Sequence, residues 1–285
     1  MTGGVFILGA GRAGRGLSRA LRASAVDVIG LHGRRAEGLP DAVTAGALPA
    51  ALGRAAVVLV TVRDGQLDGA LGELAAAPLA PGAVVLHASG SAEPHGLEAL
   101  RGLGHPCGTF HPLVPLAEPA RAAVLLRGAW IGTDGDAEAQ SAAAELAGAL
   151  GAAVLRIPAG AKGAYHAAAV FASNFPTVLA AVAAQLLVSV GIDEGNAWGA
   201  VGALMRGAVA NLDAGSAAEA LTGPIARGDV ETVRKHLAAL ESEPVVRDLY
   251  AALSLVAVEL ARGGGRTDQA ALGEIAGQLT RCRTP

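Results

Sequence analysis

Aromatic side chains are only 3% of this 285-residue sequence, which holds two tryptophans, two tyrosines and four phenylalanines. A core built on large rings is therefore excluded. Hydrophobic residues nonetheless reach 52%, dominated by alanine, and 40 glycines add small surfaces that permit close helix–helix and helix–sheet approach. Cysteine is nearly absent: Cys107 and Cys282 make neither a metal-ligand spacing nor a disulfide framework, so no metal site is expected and a reducing, cytoplasmic compartment fits. Charge is sparse too, at 16% with a formal net of −3 and no basic run, which argues against nucleic acid as a partner. The apolar run at residues 5–8 is too short for a signal sequence and lacks a charged flank. Residues 164–190 are the most hydrophobic stretch, but His166, Asn174, Pro176 and Gln185 interrupt it. It reads as a buried core helix rather than a membrane span, and a soluble protein with no membrane partner is expected. Lysine is the rarest charge: of 22 basic side chains only Lys162 and Lys235 are lysines.

The length predicts two domains, since single cores stop growing near ~250–300 residues. Residues 5–8 read as a buried strand, followed at once by Gly9-Ala10-Gly11-Arg12-Ala13-Gly14 and a helical pattern over 13–23. This is the dinucleotide-binding spacing in the context that gives it meaning. Gly9 permits the tight turn, Gly11 lets the backbone approach a pyrophosphate, and Gly14 lets the helix pack closely on its strand. The unpaired amides at the helix start, at Arg12 and Ala13, then face the phosphates. A second strand at 26–31 ends in His32-Gly33-Arg34-Arg35. An NAD site would place a carboxylate there for the ribose 2′-hydroxyl; two guanidinium groups suit a 2′-phosphate instead, so the expected cofactor is NADP(H).

Further strands are predicted at 55–62, 83–87, 108–111, 129–132 and 153–157, with helices over 65–76, 94–103 and 137–151. The fold class is α/β: a doubly wound, mostly parallel Rossmann sheet followed by an all-α C-terminal domain. After Pro158-Ala159-Gly160 the strand signals stop, giving a cofactor domain over 1–158 and a helical substrate and dimerisation domain over 159–285. Ligands of open α/β sheets bind beyond the carboxyl ends of the strands. Asp64, Ser89, Ser91 and His111 sit at such ends: Asp64 is expected near the cofactor. The two serines fit either a substrate carboxylate or an ordinary turn and helix cap. His111, before Pro112, fits either a substrate contact or a structural role. Helices are predicted over 194–213, 229–241, 244–262 and 267–281, with a Gly223-Pro224 turn between the first two. Arg227, close by, fits an anion contact or an ion pair.

The longest helical pattern opens the second domain. At about 100° per residue, Lys162, His166 and Ser173 fall within about 40° of one another, with Tyr165 beside that stripe and Asn174 further round. A lysine and a histidine on one face of an apolar helix are expected to be paired or to line a cleft. Lys162 is then a compact ammonium whose pKa an apolar wall would lower. Pro176 predicts a kink or break near residues 172–175 that would re-aim Asn174.

Taken together, these segments resemble the two-domain family that joins a Rossmann-like NAD(P) domain to domain of unknown function 2520. The resemblance rests on Gly9 to Gly14, His87-Ala88-Ser89-Gly90, His111-Pro112-Leu113, Tyr165-His166-Ala167-Ala168-Ala169 with Ser173-Asn174, and the stretch from Leu221 to Asp229. Wider relatives are the 6-phosphogluconate, β-hydroxyacid, pyrroline-5-carboxylate and ketopantoate reductases. The resemblance implies an NADPH-dependent oxidoreductase acting on the carbonyl of a small 2-oxo acid such as 2-dehydropantoate. Lys162, His166 and Asn174 would be its catalytic residues, and Ser89, Ser91, Ser173, Tyr165 and His111 its substrate contacts. Where β-hydroxyacid dehydrogenases carry an asparagine four residues after the lysine, this chain carries His166. An imine reductase of the pyrroline-5-carboxylate type and a non-catalytic NADP(H) sensor are the alternatives. The relatives imply a homodimer formed through the helical domain, with a small carboxylate as the other partner.

Overall fold

The computed structural model describes residues 3–36 and 41–282. Seven strands form one sheet in the order β2-β1-β3-β4-β5-β6-β7. They are β1 (Gly4–Leu8), β2 (Val28–His32), β3 (Ala55–Val60), β4 (Val84–His87), β5 (Cys107–Pro112), β6 (Trp130–Gly135) and β7 (Ala153–Arg156). The first five run parallel; β6 is antiparallel to β5, and β7 parallel to β6. The central strands are unbroken apolar runs because both faces are covered: every residue of β1 is buried. On one face Ile7, Leu59 and Phe110 share a core with Leu17 and Leu21 of α1 (Arg12–Ala23) and Leu146 of α5 (Ala137–Ala149), where α4 (Ala122–Leu126) also packs. On the other, Phe6, Val58 and Val85 pack with Leu71 and Leu74 of α2 (Leu67–Ala75) and Leu97 and Leu100 of α3 (Gly96–Gly102). Each such side chain contributes roughly 1.5–3 kcal/mol by leaving water. The expected doubly wound α/β architecture is the one found.

After the sheet come only helices: α6 (Lys162–Ser189), α7 (Glu194–Ala210), the one-turn α8 (Ala217–Ala220) and α9 (Pro224–Arg227), then α10 (Val230–Ala239), α11 (Pro244–Gly264) and α12 (Gln269–Cys282). Asp193 and Asp229 start α7 and α10 by accepting from amides of the first turn. A small core of Ile225, Val233, Val258, Leu272, Ile275 and Leu279 joins α9 to α12.

Three expectations change. The chain divides into compact units at Phe175/Pro176 rather than at residue 158, because the first turns of α6 are bonded to the sheet through Lys162 and Tyr165. The helix runs on through Pro176 without a break, although that residue has no N–H to donate. Nor is α6 a buried core helix. Its apolar stretch, long enough by length and composition to cross a membrane, is only 6% buried, and Phe171 and Val178 stand 64% and 52% exposed.

Candidate active site

The carboxyl ends of β1 to β5 lie along one edge of the sheet, and the candidate groups string out along it. At β1, Gly9 turns with φ +122°, a conformation side-chain-bearing residues rarely adopt. A Cβ on Gly14 would stand 1.8 Å from the Gly9 carbonyl oxygen, so helix and turn touch there. A Cβ on Gly11 would meet nothing within 4 Å. Among the described residues no side chain caps the start of α1, which leaves its first amides, those of Arg12 and Ala13, without a side-chain acceptor. Thr61, following β3, donates its hydroxyl to the Gly9 carbonyl at 2.7 Å and holds the turn against the sheet. Arg34 and Arg35, beyond β2, are both exposed. With its oxygen turned toward Arg34, the Gln66 amide accepts from that guanidinium at 2.9 and 3.0 Å.

From Thr61 the edge continues without a gap. The Ser91 hydroxyl donates to Asp64 at 3.0 Å, linking the loops after β3 and β4. Ser89 is buried, and its oxygen accepts the Ala92 amide at 3.0 Å. Gly90 lies against His111: a Cβ there would approach the imidazole to 2.6 Å. His111, near the end of β5, forms a 2.7 Å hydrogen bond between Nδ1 and the Tyr165 hydroxyl, with the rings edge to face at 5.6 Å. Tyr165 itself occupies space that exists because residue 132 is glycine, where a Cβ would stand 2.0 Å from its oxygen. Two glycines on two elements thus clear room for one histidine–tyrosine pair. His166 joins them, its ring 6.0 Å from His111 and its Nδ1 buried without a protein partner.

Beneath the pair runs a polar row. His87, Thr109 and Asp134 are register partners across β4, β5 and β6, so their side chains share a face. His87 is wholly buried and meets the Thr109 hydroxyl at 3.1 Å. Burial, with the Lys162 ammonium adding to it, pushes the His87 pKa down to about 4. Burial and then neighbouring His166 push His111 down to about 4 as well, and burial raises Tyr165 to about 12. Near neutral pH, therefore, His87 and His111 are neutral imidazoles and Tyr165 a neutral phenol.

Lys162 is paired, one of its two expected situations, but not walled by apolar groups. It is 5% exposed, ion-paired to Asp134 at 3.0 Å, and donates to the Ala92 carbonyl at 2.9 Å. A carboxylate, not an apolar wall, faces the ammonium, which works as a strut between β6, α6 and the loop after β4. Ser173 and Asn174 are exposed. Because α6 does not break, Asn174 lies about 13 Å along the axis from Tyr165 and does not join the histidine–tyrosine pair. Asp134, Gly132 and Gly90 were not singled out from the sequence. A glycine inside a strand often marks close approach by another group, and an acid at a strand end invites a buried lysine; those were the available signals. Among the described residues no three His, Cys, Asp or Glu side chains are grouped to hold a metal ion.

An open Rossmann-type sheet with a bare glycine turn and a polar, partly buried strand edge defines a dinucleotide-binding class of α/β protein. Residues 129–256 match the family described as domain of unknown function, DUF2520. No curated protein matches the chain. Among solved structures, protein TM1727 from Thermotoga maritima is similar at 25% identity and TM-score 0.70, covering 92% of this chain and 100% of its own. Protein BF3122 from Bacteroides fragilis is similar at 20% identity and TM-score 0.71, with 90% of this chain and 97% of that one covered. Pyrroline carboxylate reductase of Plasmodium falciparum, solved with NADP bound, shares 10% identity at TM-score 0.63 over 97% of this chain and 98% of its own. At 20% and 10% identity the likeness is one of fold.

Proposed function

We propose that this protein is an NADP(H)-dependent reductase of the carbonyl group of a small 2-oxo acid, and that Tyr165, supported by His111, delivers the proton. The observation that carries the reading is the hydrogen-bonded His111–Tyr165 pair on the same sheet edge as the glycine turn. From β1 to β5 is three strand spacings, roughly 14 Å, within reach of the nicotinamide arm of a dinucleotide held at the turn. The residues present fit such a cofactor. A Cβ at Gly11 would occupy open space that a pyrophosphate could fill, the amides of Arg12 and Ala13 have no side-chain acceptor, and exposed Arg34 and Arg35 suit a 2′-phosphate. The structure of the Plasmodium falciparum reductase with NADP bound supports the same cofactor for this fold. When bound, NADPH would supply the hydride.

The chain's own groups then handle the proton. With His111 carrying its hydrogen on Nδ1, the ring donates to the phenol oxygen and leaves the Tyr165 O–H free for the substrate oxygen. An alkoxide is more basic than a phenolate, so the transfer runs downhill even from a phenol raised to about 12. Ser91 and Asp64 border the same edge and are proposed to orient the substrate and cofactor, respectively. Lys162 holds the loop that presses Gly90 on His111, and His166 is proposed to contact the substrate through its free Nδ1.

A cyclic imine is the second reading, and one observation favours it: Asp134 neutralises Lys162, so no unpaired ammonium at that position repels an iminium. The experiment is NADPH oxidation on a panel of 2-oxo acids, including 2-dehydropantoate, beside pyrroline-5-carboxylate, with NADH in parallel. Turnover on 2-oxo acids supports the proposal; turnover on imines alone replaces it with the second reading. NADPH binding without turnover on either leaves a sensor. We further propose that two copies pair through the exposed apolar residues of α6 and α7, such as Val178, Trp198 and Leu204, in a cytoplasmic homodimer. Light scattering at tens of micromolar tests this, and a monomer there refutes it.

A further inference from the structure

The chain segments that leave β2 and β3 flank the glycine turn, because those two strands pair with β1 on its opposite sides. Each segment is pinned to the turn. After β2, a Cβ on Gly33 would come within 2.6 Å of the Ala10 Cβ, and the His32 carbonyl just before it accepts the Gly9 amide at 2.8 Å. After β3, Thr61 donates to the Gly9 carbonyl at 2.7 Å. Arg34 therefore leaves directly beside the turn on one side, and Gln66 closes the one-turn helix Asp64–Gln66 on the other.

Their side chains meet. The half-buried Gln66 amide stands against the exposed Arg34 guanidinium, and its carbonyl end must face it, because the amide nitrogen would set donor against donor. The oxygen then accepts from both terminal nitrogens, at 3.0 Å from Nη1 and 2.9 Å from Nη2. This end-on grip leaves the Nε–Nη2 edge of the guanidinium free, the edge that takes phosphate oxygens in pairs. The acceptor is neutral, so it aims the guanidinium without cancelling its charge. A carboxylate at residue 66 would hold Arg34 equally well but repel a phosphate. An aliphatic chain would leave the arginine to be ordered by the ligand, at an entropic cost.

We propose that Gln66 is a specificity-determining residue: by fixing Arg34 beside the glycine turn, it sets the preference for a 2′-phosphorylated dinucleotide over an unphosphorylated one. The inference rests on the NADP(H) reading of Arg34 and names the residue that positions it. The full-length protein and its Arg34→Gln, Gln66→Leu and Gln66→Glu variants are titrated with NADPH and NADH by fluorescence, and with 2′,5′-ADP by calorimetry. Gln66→Leu should weaken NADPH binding about three- to tenfold and Gln66→Glu more than about tenfold, with NADH held within about twofold in both. The 2′,5′-ADP affinities should follow those of NADPH, which keeps the nicotinamide and turnover out of the result. In an Arg34→Gln background, Gln66→Leu should cost less than about a further twofold, since its effect passes through Arg34. Gln66 variants that lose NADPH and NADH alike overturn the proposal, as do variants that keep the parental ratio where Arg34→Gln abolishes it; the cofactor reading survives either result. A parent protein that binds NADPH no better than NADH, or an Arg34→Gln variant that keeps the preference, overturns both.

Discussion

Replacing Tyr165 with phenylalanine removes one oxygen and leaves the ring where Gly132 makes room for it. The loss to the fold is a single 2.7 Å hydrogen bond to His111, about 1 kcal/mol net, or a fall in Tm of about 2–4 °C for a chain of this length. The loss to catalysis should be much larger. A positioned general acid contributes roughly 10²- to 10⁴-fold, which corresponds to about 2.7–5.5 kcal/mol of transition-state stabilisation. Steady-state kinetics at saturating NADPH, on whichever 2-oxo acid turns over fastest, should therefore show kcat falling at least a hundredfold with KM changed little. His111→Asn should cost less, because the phenol still stands in place. If His111 acts through Tyr165, the double variant Tyr165→Phe/His111→Asn should be no slower than Tyr165→Phe by more than about threefold. A Tyr165→Phe enzyme keeping more than a third of parental kcat would refute the assignment, and so would strictly multiplicative losses in the double variant.

Three other outcomes follow from the same geometry. Gly11→Val adds a side chain to open space and should weaken NADPH binding more than tenfold at unchanged Tm, whereas Gly14→Ala, 1.8 Å from a backbone oxygen, should destabilise the fold itself; calorimetry and fluorescence titration separate the two. Lys162→Met orphans Asp134 and the Ala92 carbonyl and should cost about 2–4 kcal/mol in urea unfolding while leaving the alkaline limb of the pH–rate profile, where loss of a proton donor shows, unchanged. Stability should also fall on acidification. His87 is neutral in the folded chain down to about pH 4 but takes a proton in the unfolded chain below its ordinary value of 6.5. Its contribution is thus complete above 6.5, declines as pH drops from 6.5 to 4, and reaches a loss of about 3 kcal/mol below that; His87→Gln should flatten the decline in urea midpoints measured across this window.

The sequence by itself determined the architecture, because the signals for it are local. An apolar run long enough for a strand, a glycine spacing behind it and a 3.6-residue period after it are all set by neighbours in the chain. Seven strands, the glycine turn and the all-helical second half were legible for that reason. The same local reading brought Tyr165, His166 and His111 into view, though not their arrangement. That Lys162 meets Asp134 across 28 residues, or that Gly90 and Gly132 clear space for His111 and Tyr165, depends on which strands become neighbours. The antiparallel insertion of β6 beside β5 decides it, bringing Gly132 opposite His111 and Asp134 opposite Thr109. A charge in a sequence carries no sign of the partner it will find. The tertiary structure pairs Lys162, one of the expected catalytic groups, with a carboxylate and sets Tyr165, an expected contact residue, against His111, because burial and pairing are properties of the folded neighbourhood.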